Sequence, residues 1–483
     1  MDALKHCCPG VLKVATCYLM FLFVLLAVAL PHGLDTPLSL YSGHPTCTQQ
    51  FSQIVFSCQS TTPLTPLSTV DDIVRVYQLN DPASLARAAK SGASVAAFWP
   101  PGLVILLSAM YSVSINFPVG VVLVFISCAL WAGVLTLIVT CFLKNTGSVI
   151  LSIVPAFLFI GLVDLGKYDI AYLVGTGVFS TETYSTALFL MGIGLLAIQL
   201  EGNSLNIIVS IVSGAILAIA AYFRAQFDII MVVATMLFLL IAAVRFTIIN
   251  VIRRPFQRKI RSPLRALQSI LVVLITYHAC TFPYRLTHYW SWIDTSNNGV
   301  WKLVWDRPEE IPPELAFVVQ SGLTAGCVVD PDLCDALNQR RALPGTPLTN
   351  NEYRLLTFRS FLYHPAAWVR FKLPFFVMAL SLNGNLLLLV AFLLIVLTIA
   401  FVLPLESLQI LAFFLLATIG GVLAPLLLIH MEDRYILPIS MLIQYSAVLA
   451  LGLNSGATQR SGSSGAETIG DFPRGGRVDS LET

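Results

Sequence analysis

The sequence predicts an all-α polytopic membrane protein, a bundle of about ten transmembrane helices with two long exoplasmic loops. Hydrophobic residues make up 57% of the 483-residue chain and charged residues only 11%, whereas a soluble domain carries about 25% charged residues. Apolar runs of roughly 18 residues or more recur along the chain, and each can cross a hydrocarbon core about 30 Å thick. No stretch resembles a nucleic-acid-binding surface, so no nucleic-acid partner is expected.

Apolar segments that are candidates for membrane helices lie near residues 14–31, 101–117, 119–143, 147–164, 181–200, 206–223, 227–249, 265–282, 386–404, 407–429 and 434–453. The first is long for a signal peptide and no clean cleavage site follows it, so we interpret it as a retained span. Residues 245–265 contain the densest basic run of the chain. The positive-inside rule therefore places that connector in the cytoplasm.

Four of the ten cysteines form two close pairs in the long polar loops, Cys47 with Cys58 and Cys327 with Cys334. Such pairs are typical of disulfides in an oxidising compartment, and a zinc site is the alternative. The cysteines of the apolar runs are expected to be small buried side chains; they are Cys17, Cys128, Cys141 and Cys280.

Both cysteine pairs are exoplasmic only if the chain crosses the membrane an even number of times between Cys58 and Cys327. Seven candidate segments lie in this interval, so one of them does not cross. Segment 101–117 is the weakest, because it is short, begins at Pro-Pro-Gly and contains polar residues. We predict that it is a re-entrant or interfacial helix on the exoplasmic face.

This topology divides the chain into six parts. They are the cytoplasmic N-terminus with the first span (1–31), the first exoplasmic loop (32–118), the transmembrane bundle (119–282), the second exoplasmic loop (283–385), the C-terminal spans (386–453) and a disordered cytoplasmic tail (454–483). The tail is assigned as disordered because it is rich in Ser and Gly.

The same topology gathers the unusual charges at the span ends on one face. Glu182 opens a span, Arg224 lies between two apolar runs and Arg434 precedes the last span. Guanidinium groups bind phosphate oxygens through two parallel hydrogen bonds, so this pattern indicates chemistry on a lipid-linked phosphate. Each residue also has a structural alternative, because a helix N-terminus favours Glu182 and the arginines could anchor span ends beside acids such as Asp228.

Asp81 is the candidate general base, since it lies in the first exoplasmic loop close to the Trp99-Pro-Pro-Gly corner. Its alternative role is an N-cap, with Pro82 at the first helical position. Asp71 and Asp72 are rival bases in the same loop.

Four further residues are candidates for contacts with a substrate: Lys167, His364, Trp99 and Tyr435. Lys167 lies in a charged cluster just before Glu182, and His364 precedes a basic amphipathic stretch suited to lipid phosphates. An ordinary loop histidine is the alternative for His364.

Four motifs follow one another in a defined order over residues 14–453. They are an acid-led helix followed by Trp99-Pro100-Pro101-Gly102, then Ser180-Thr181-Glu182, then Phe223-Arg224, and finally Arg434-Tyr435 with Pro438. In this order the chain resembles integral-membrane GT-C glycosyltransferases. It is most similar to the branch of dolichyl-phosphate-mannose–protein mannosyltransferases and lipid A aminoarabinose transferases.

The resemblance implies a polyprenyl-phosphate-linked sugar as donor, inversion at the anomeric carbon, an aspartate base, and arginines that hold the leaving phosphate. It implies a glycan, lipid or protein as acceptor and an active site facing the periplasm or exterior from a bacterial inner membrane. No cofactor is expected, and a divalent metal stays open. The alternatives are an O-antigen ligase or polymerase, which relies on arginine and histidine, and a non-catalytic flippase or assembly scaffold.

Overall fold

The computed structural model describes residues 9–33, 102, 106, 119–165, 168–175, 181–200, 206–251, 264–287, 362, 365–366, 369–370, 373, 390, 393–394, 406–428 and 437–463. All regular secondary structure in these residues is helical. The helices are α1 (Pro9–Gly33), α2 (Val119–Thr146), α3 (Val149–Asp164), α4 (Ile170–Val174), α5 (Thr181–Gln199), α6 (Ile207–Phe223), α7 (Ala225–Val251), α8 (Leu264–Thr287), α9 (Glu406–Leu428) and α10 (Leu437–Ser463).

The protein is an integral membrane protein. Five of the described helices, α1, α2, α5, α7 and α8, are long and apolar enough to cross a bilayer. Shorter apolar stretches lie in α3, α6, α9 and α10. The lipid-facing and inward faces are both apolar, because residues such as Ile150 and Leu239 are exposed while Trp131 is fully buried.

Local capping residues set several helix starts. Ser148 and Asn206 cap α3 and α6 by accepting hydrogen bonds from backbone N–H groups in the first turn. Between α2 and α3 the chain turns at Gly147, whose φ of +65° is in the left-handed region that glycine adopts without steric cost.

The two ends of the bundle are defined by contacts between helix termini. The Tyr184 hydroxyl near the start of α5 donates to the Leu123 carbonyl near the start of α2, at 3.4 Å. At the far ends of the same helices, the Lys144 ammonium donates to the Ile198 carbonyl at 3.3 Å. Arg224, between α6 and α7, pairs with Glu182 at the start of α5. We call the two sides the Arg224 end and the Lys144 end.

Helices α8 and α9 run parallel to each other. Arg265 at the start of α8 pairs with Glu406 at the start of α9, at 3.1 Å. The Gln199 amide donates to Ser269 at 3.3 Å, which places both starts at the Lys144 end. The return from the Arg224 end therefore belongs to residues 288–405, which include the predicted span 386–404. Leu393 of that span is helical and packs against the core.

Helix α10 begins at the Arg224 end. Its later part lies at the Lys144 end, because the Cys141 thiol of α2 is 4.0 Å from the Leu449 carbonyl and Gly452 lies against Phe142. Helix α9 ends at the Arg224 end, where Gly421 packs on Ile230 of α7. The connector that contains Arg434 thus joins two helix termini at the same end as Glu182 and Arg224.

Two sequence expectations differ from the structure. Cys17, Cys128 and Cys141 are buried as expected, but Cys280 is exposed. Hydropathy could not distinguish these positions, because a lipid-facing residue and a core residue are equally apolar in sequence. Helix α10 also continues to Ser463, so the predicted disordered tail does not begin at residue 454. The paired cysteines Cys47, Cys58, Cys327 and Cys334 lie outside the described residues.

Gly102 and the start of α2 both lie at the Arg224 end. Gly102 is buried against the backbone of Tyr222 and Phe223, where α6 ends. Leu106 packs against the core beside it. The other residues of the segment 101–117 lie outside the described residues, so its re-entrant path stays a prediction.

We therefore expect a cysteine introduced by Asn116→Cys to react with a membrane-impermeant thiol reagent added to intact cells. The matched control is Thr146→Cys, an exposed position at the Lys144 end, which should react only in inverted vesicles. Reaction of both cysteines from the same side would contradict the re-entrant prediction.

Candidate functional site

The site is built around an ion pair between Arg224 and Glu182, which joins the start of α5 to the junction of α6 and α7. Arg224 Nη1 contacts Glu182 Oε1, and the two side chains are only 9% and 3% exposed. A single residue, Arg224, separates α6 from α7, and its extended backbone ends the first helix. The guanidinium is therefore fixed where the chain reverses direction.

Neighbouring polar groups hold this pair in place. The Thr181 hydroxyl donates to Glu182 Oε2 at 3.3 Å and accepts a hydrogen bond from Arg224 Nη1 at 3.4 Å. Arg224 Nε donates to Gln226 Oε1 at 3.3 Å. Glu182 is also in the first turn of α5, where the positive end of the helix dipole stabilises a carboxylate. The fork of the guanidinium is thus oriented by partners from two helices.

A second buried carboxylate lies one turn after Arg224. Asp228 of α7 accepts a hydrogen bond of 2.5 Å from the hydroxyl of Tyr277 on α8. The Tyr222 hydroxyl donates to the Cys280 carbonyl at 3.0 Å and ties α6 to the same part of α8. Asp228, which the structural alternative pairs with Arg224, therefore has the Tyr277 hydroxyl as one of its partners.

The charge distribution is one-sided. Within the described part of the chain, the buried charged side chains are Glu182, Asp228 and Arg224, and all three lie at the Arg224 end. Charged groups in a membrane bundle are costly, and they are usually retained for function. Among the described buried residues, two carboxylates against one guanidinium leave a formal excess of one negative charge at this end.

Gly102, the last residue of the Trp99-Pro-Pro-Gly motif, lies against the end of α6 next to this site. A Cβ atom at residue 102 would lie 2.7 Å from the Tyr222 carbonyl oxygen and 2.9 Å from the Phe223 amide nitrogen. Only glycine permits this approach, because backbone atoms cannot move aside. The last residue of the Trp99-Pro-Pro-Gly corner thus docks on the two residues that precede Arg224.

The charged cluster before α5 has a local structural role in the described residues. Asp169 caps α4 by accepting from the Tyr172 N–H at 2.6 Å, and Asp164 accepts from the Ile170 N–H at 2.9 Å. The Ser127 hydroxyl donates to the Leu173 carbonyl and fastens α4 to α2.

The structure describes only part of the predicted site. Glu182 and Arg224 are described and are brought into direct contact. The other candidate residues lie outside the described residues and stay predictions: Asp71, Asp72, Asp81, Trp99, Lys167, His364, Arg434 and Tyr435. Sequence reasoning missed Tyr277, which gave no signal because a buried tyrosine in an apolar run is usually a core residue.

The described residues contain no candidate metal site, and no similar protein was found. Among the described residues there is no group of three or more histidines, cysteines or carboxylates that could hold a metal ion. Comparison with known proteins found no matching family model, no similar curated protein and no similar solved structure. The resemblance to GT-C glycosyltransferases therefore depends on its four motifs alone.

Proposed function

We propose that this protein is a membrane glycosyltransferase that moves a sugar from a polyprenyl-phosphate-linked donor to a glycan, lipid or protein acceptor. The observation that carries the proposal is the buried Arg224–Glu182 pair at the end of the bundle. Arg224 binds the donor phosphate, and Glu182 holds the guanidinium in position.

Burial of Arg224 argues against the anchor role. A snorkelling arginine keeps its charged head in water, whereas this side chain is 9% exposed. A buried ion pair is weak evidence for stability, because well-packed apolar residues often replace such a pair without loss. A fixed guanidinium in a site of low polarity is, by contrast, well suited to stabilise the negative charge of a leaving phosphate.

The remaining binding groups are assigned from the sequence. Arg434 stands three residues before α10 and Lys167 two residues before Asp169, the N-cap of α4. Both helices begin at the Arg224 end, so these two cations would offset the excess negative charge of Glu182 and Asp228. Tyr435, His364 and Trp99 complete the proposed contacts to the substrates.

The reaction proceeds by inversion. An acceptor oxygen or nitrogen attacks the anomeric carbon and forms the new bond, while the bond between that carbon and the phosphate oxygen breaks. The phosphate leaves with the electron pair and is bound by Arg224. The acceptor proton passes to Asp81, with Asp71 and Asp72 as the alternative bases.

The sidedness of the reaction follows from the basic run. Most of this basic run lies between the end of α7 at Val251 and the start of α8 at Leu264. Arg265, next to the start of α8, lies at the Lys144 end. By the positive-inside rule this end is cytoplasmic. The Arg224 end then faces the exterior, which in a bacterial inner membrane is the periplasm.

The test is donor binding by Arg224→Lys in lipid nanodiscs. Lysine keeps the charge but loses the planar fork, so affinity for polyprenyl phosphate should fall about 10- to 100-fold, as expected for lost hydrogen bonds to a charged group. Arg265→Lys is the control, because Arg265 also pairs with a glutamate but lies at the Lys144 end. Equal affinity in both variants would return Arg224 to a structural role.

A further inference from the structure

Two threonines next to the ion pair have buried hydroxyl groups for which the described residues offer no hydrogen-bond partner. Thr183 and Thr186 of α5 are fully buried. Within the described part of the chain, neither hydroxyl has a hydrogen-bond partner. A buried donor left without a hydrogen bond destabilises the fold, so two such groups within one helical turn need an explanation.

Other buried threonines of the bundle show how this cost is usually avoided. Thr136, Thr281 and Thr418 each donate to the carbonyl four residues earlier, at 2.7, 2.9 and 2.7 Å. The carbonyl four residues before Thr183 belongs to residue 179, which lies outside the described residues. For Thr186 the corresponding carbonyl is that of Glu182, which accepts a hydrogen bond from Ser185 at 3.2 Å.

Helical geometry places Thr186 beside the ion pair. Glu182, Thr186 and Phe189 are spaced by four and three residues and therefore share one face of α5. Glu182 contacts Arg224, and the Phe189 ring lies 4.8 Å from that of Phe227, so this face is turned toward the α6–α7 junction. Side chains on a helix lean toward its N-terminus, which directs the Thr186 hydroxyl back toward Glu182.

Thr183 belongs to the adjoining face. Gly194 follows it by about three helical turns and so lies on the same side of α5. Gly194 packs against the Tyr445 hydroxyl of α10. Both hydroxyls are therefore in the first two turns of α5, close to the buried pair, and both side chains face the protein interior.

We propose that Thr183 and Thr186 bind hydroxyl groups of the sugar carried by the phosphate at Arg224. This inference rests on the proposed function and assigns the sugar, as distinct from the lipid phosphate, to the first two turns of α5. A sugar supplies several hydroxyls that both donate and accept, which matches two unsatisfied threonine hydroxyls beside a carboxylate.

The test compares two ligands in nanodiscs: bare polyprenyl phosphate, and polyprenyl phosphate carrying a hexose, pentose or amino sugar from a small panel. Thr183→Val and Thr186→Val remove the hydroxyls while keeping a branched side chain. Each should weaken binding of the best sugar-bearing lipid about 2- to 12-fold, as expected for one lost hydrogen bond. Affinity for bare polyprenyl phosphate should not change.

Matched variants separate this effect from misfolding. Thr281→Val removes a buried hydroxyl that is occupied by the Tyr277 carbonyl and should affect both lipids equally. Thr183→Ser and Thr186→Ser retain the hydroxyl and should preserve the preference for the sugar-bearing lipid. If a valine variant does not fold, Thr183→Ala or Thr186→Ala replaces it. The expected result is the same: weaker binding of the sugar-bearing lipid and unchanged binding of bare polyprenyl phosphate.

The outcomes distinguish the two proposals. If binding depends on Arg224 but the valine variants lose both lipids equally or neither, the sugar assignment is overturned and the proposed function stands. If no sugar-bearing lipid binds more tightly than bare polyprenyl phosphate, the sugar assignment is likewise overturned. If neither lipid depends on Arg224, both proposals fail together.

Discussion

Replacing Asp81 with asparagine is expected to abolish sugar transfer while expression and thermal stability stay near those of the parent protein. Asparagine keeps the side-chain oxygen that can cap a helix, but it cannot accept the proton of the acceptor. Loss of a general base typically lowers a rate by about 10²- to 10⁴-fold. The measurement is transfer of a radiolabelled sugar from polyprenyl phosphate to acceptors in isolated membranes, with unfolding followed separately.

The control is Asp169→Asn, because Asp169 caps α4 at the Arg224 end through a hydrogen bond of 2.6 Å from the Tyr172 N–H. That variant should retain normal transfer. Near-normal transfer by Asp81→Asn, together with loss in Asp72→Asn or Asp71→Asn, would move the base to the upstream acids. Normal transfer in all three variants would favour an arginine- and histidine-based ligase or polymerase, and absence of any transfer by the parent protein would favour a flippase or scaffold.

Gly102→Ala is expected to lower transfer at least tenfold. The added methyl group would meet the carbonyl oxygen of Tyr222 at 2.7 Å, and such overpacking against rigid atoms costs about 1–3 kcal/mol. Residue 102 would therefore move away from Tyr222 and Phe223, the residues that precede Arg224. Transfer and polyprenyl-phosphate affinity should be measured together, because displacement of residue 102 predicts a loss in at least one of them.

Gly161→Ala is the matched control for this substitution. Gly161 lies inside α3, and a Cβ atom there would meet no atom within 4 Å. Alanine is favoured over glycine in a helix by roughly 0.5–1 kcal/mol, so this variant should be neutral or slightly more stable. Identical behaviour of the two alanine variants would show that Gly102 does not dock against α6.

The positions of the helices could be predicted closely from the sequence. The expected spans 181–200 and 206–223 correspond to α5 (Thr181–Gln199) and α6 (Ile207–Phe223), because the apolar runs are bounded by capping or charged residues. Some helix ends were not predicted: α8, expected to end at residue 282, continues to Thr287, and α10, expected to end at residue 453, continues to Ser463. Both extensions run through polar or small residues, which reduce hydropathy without ending a helix.

Relations between helices were less accessible to sequence reasoning. Glu182 and Arg224 were expected on one face, but their direct pairing depends on the angle between α5 and α6, which hydropathy does not encode. The hydrogen bond from Tyr277 to Asp228 has the same origin. Thr183 and Thr186 gave no signal, because a threonine in an apolar span normally satisfies its own hydroxyl within the helix.

The joint at Arg224 has a mechanical consequence. One residue connects α6, which spans 17 residues, to α7, and the same residue presents the guanidinium. A ligand that draws the guanidinium away from Glu182 would move the one residue that joins α6 to α7. With about 1.5 Å of rise per residue, α6 is roughly 25 Å long. A small rotation at Arg224 would therefore displace the other end of α6, at the opposite membrane surface.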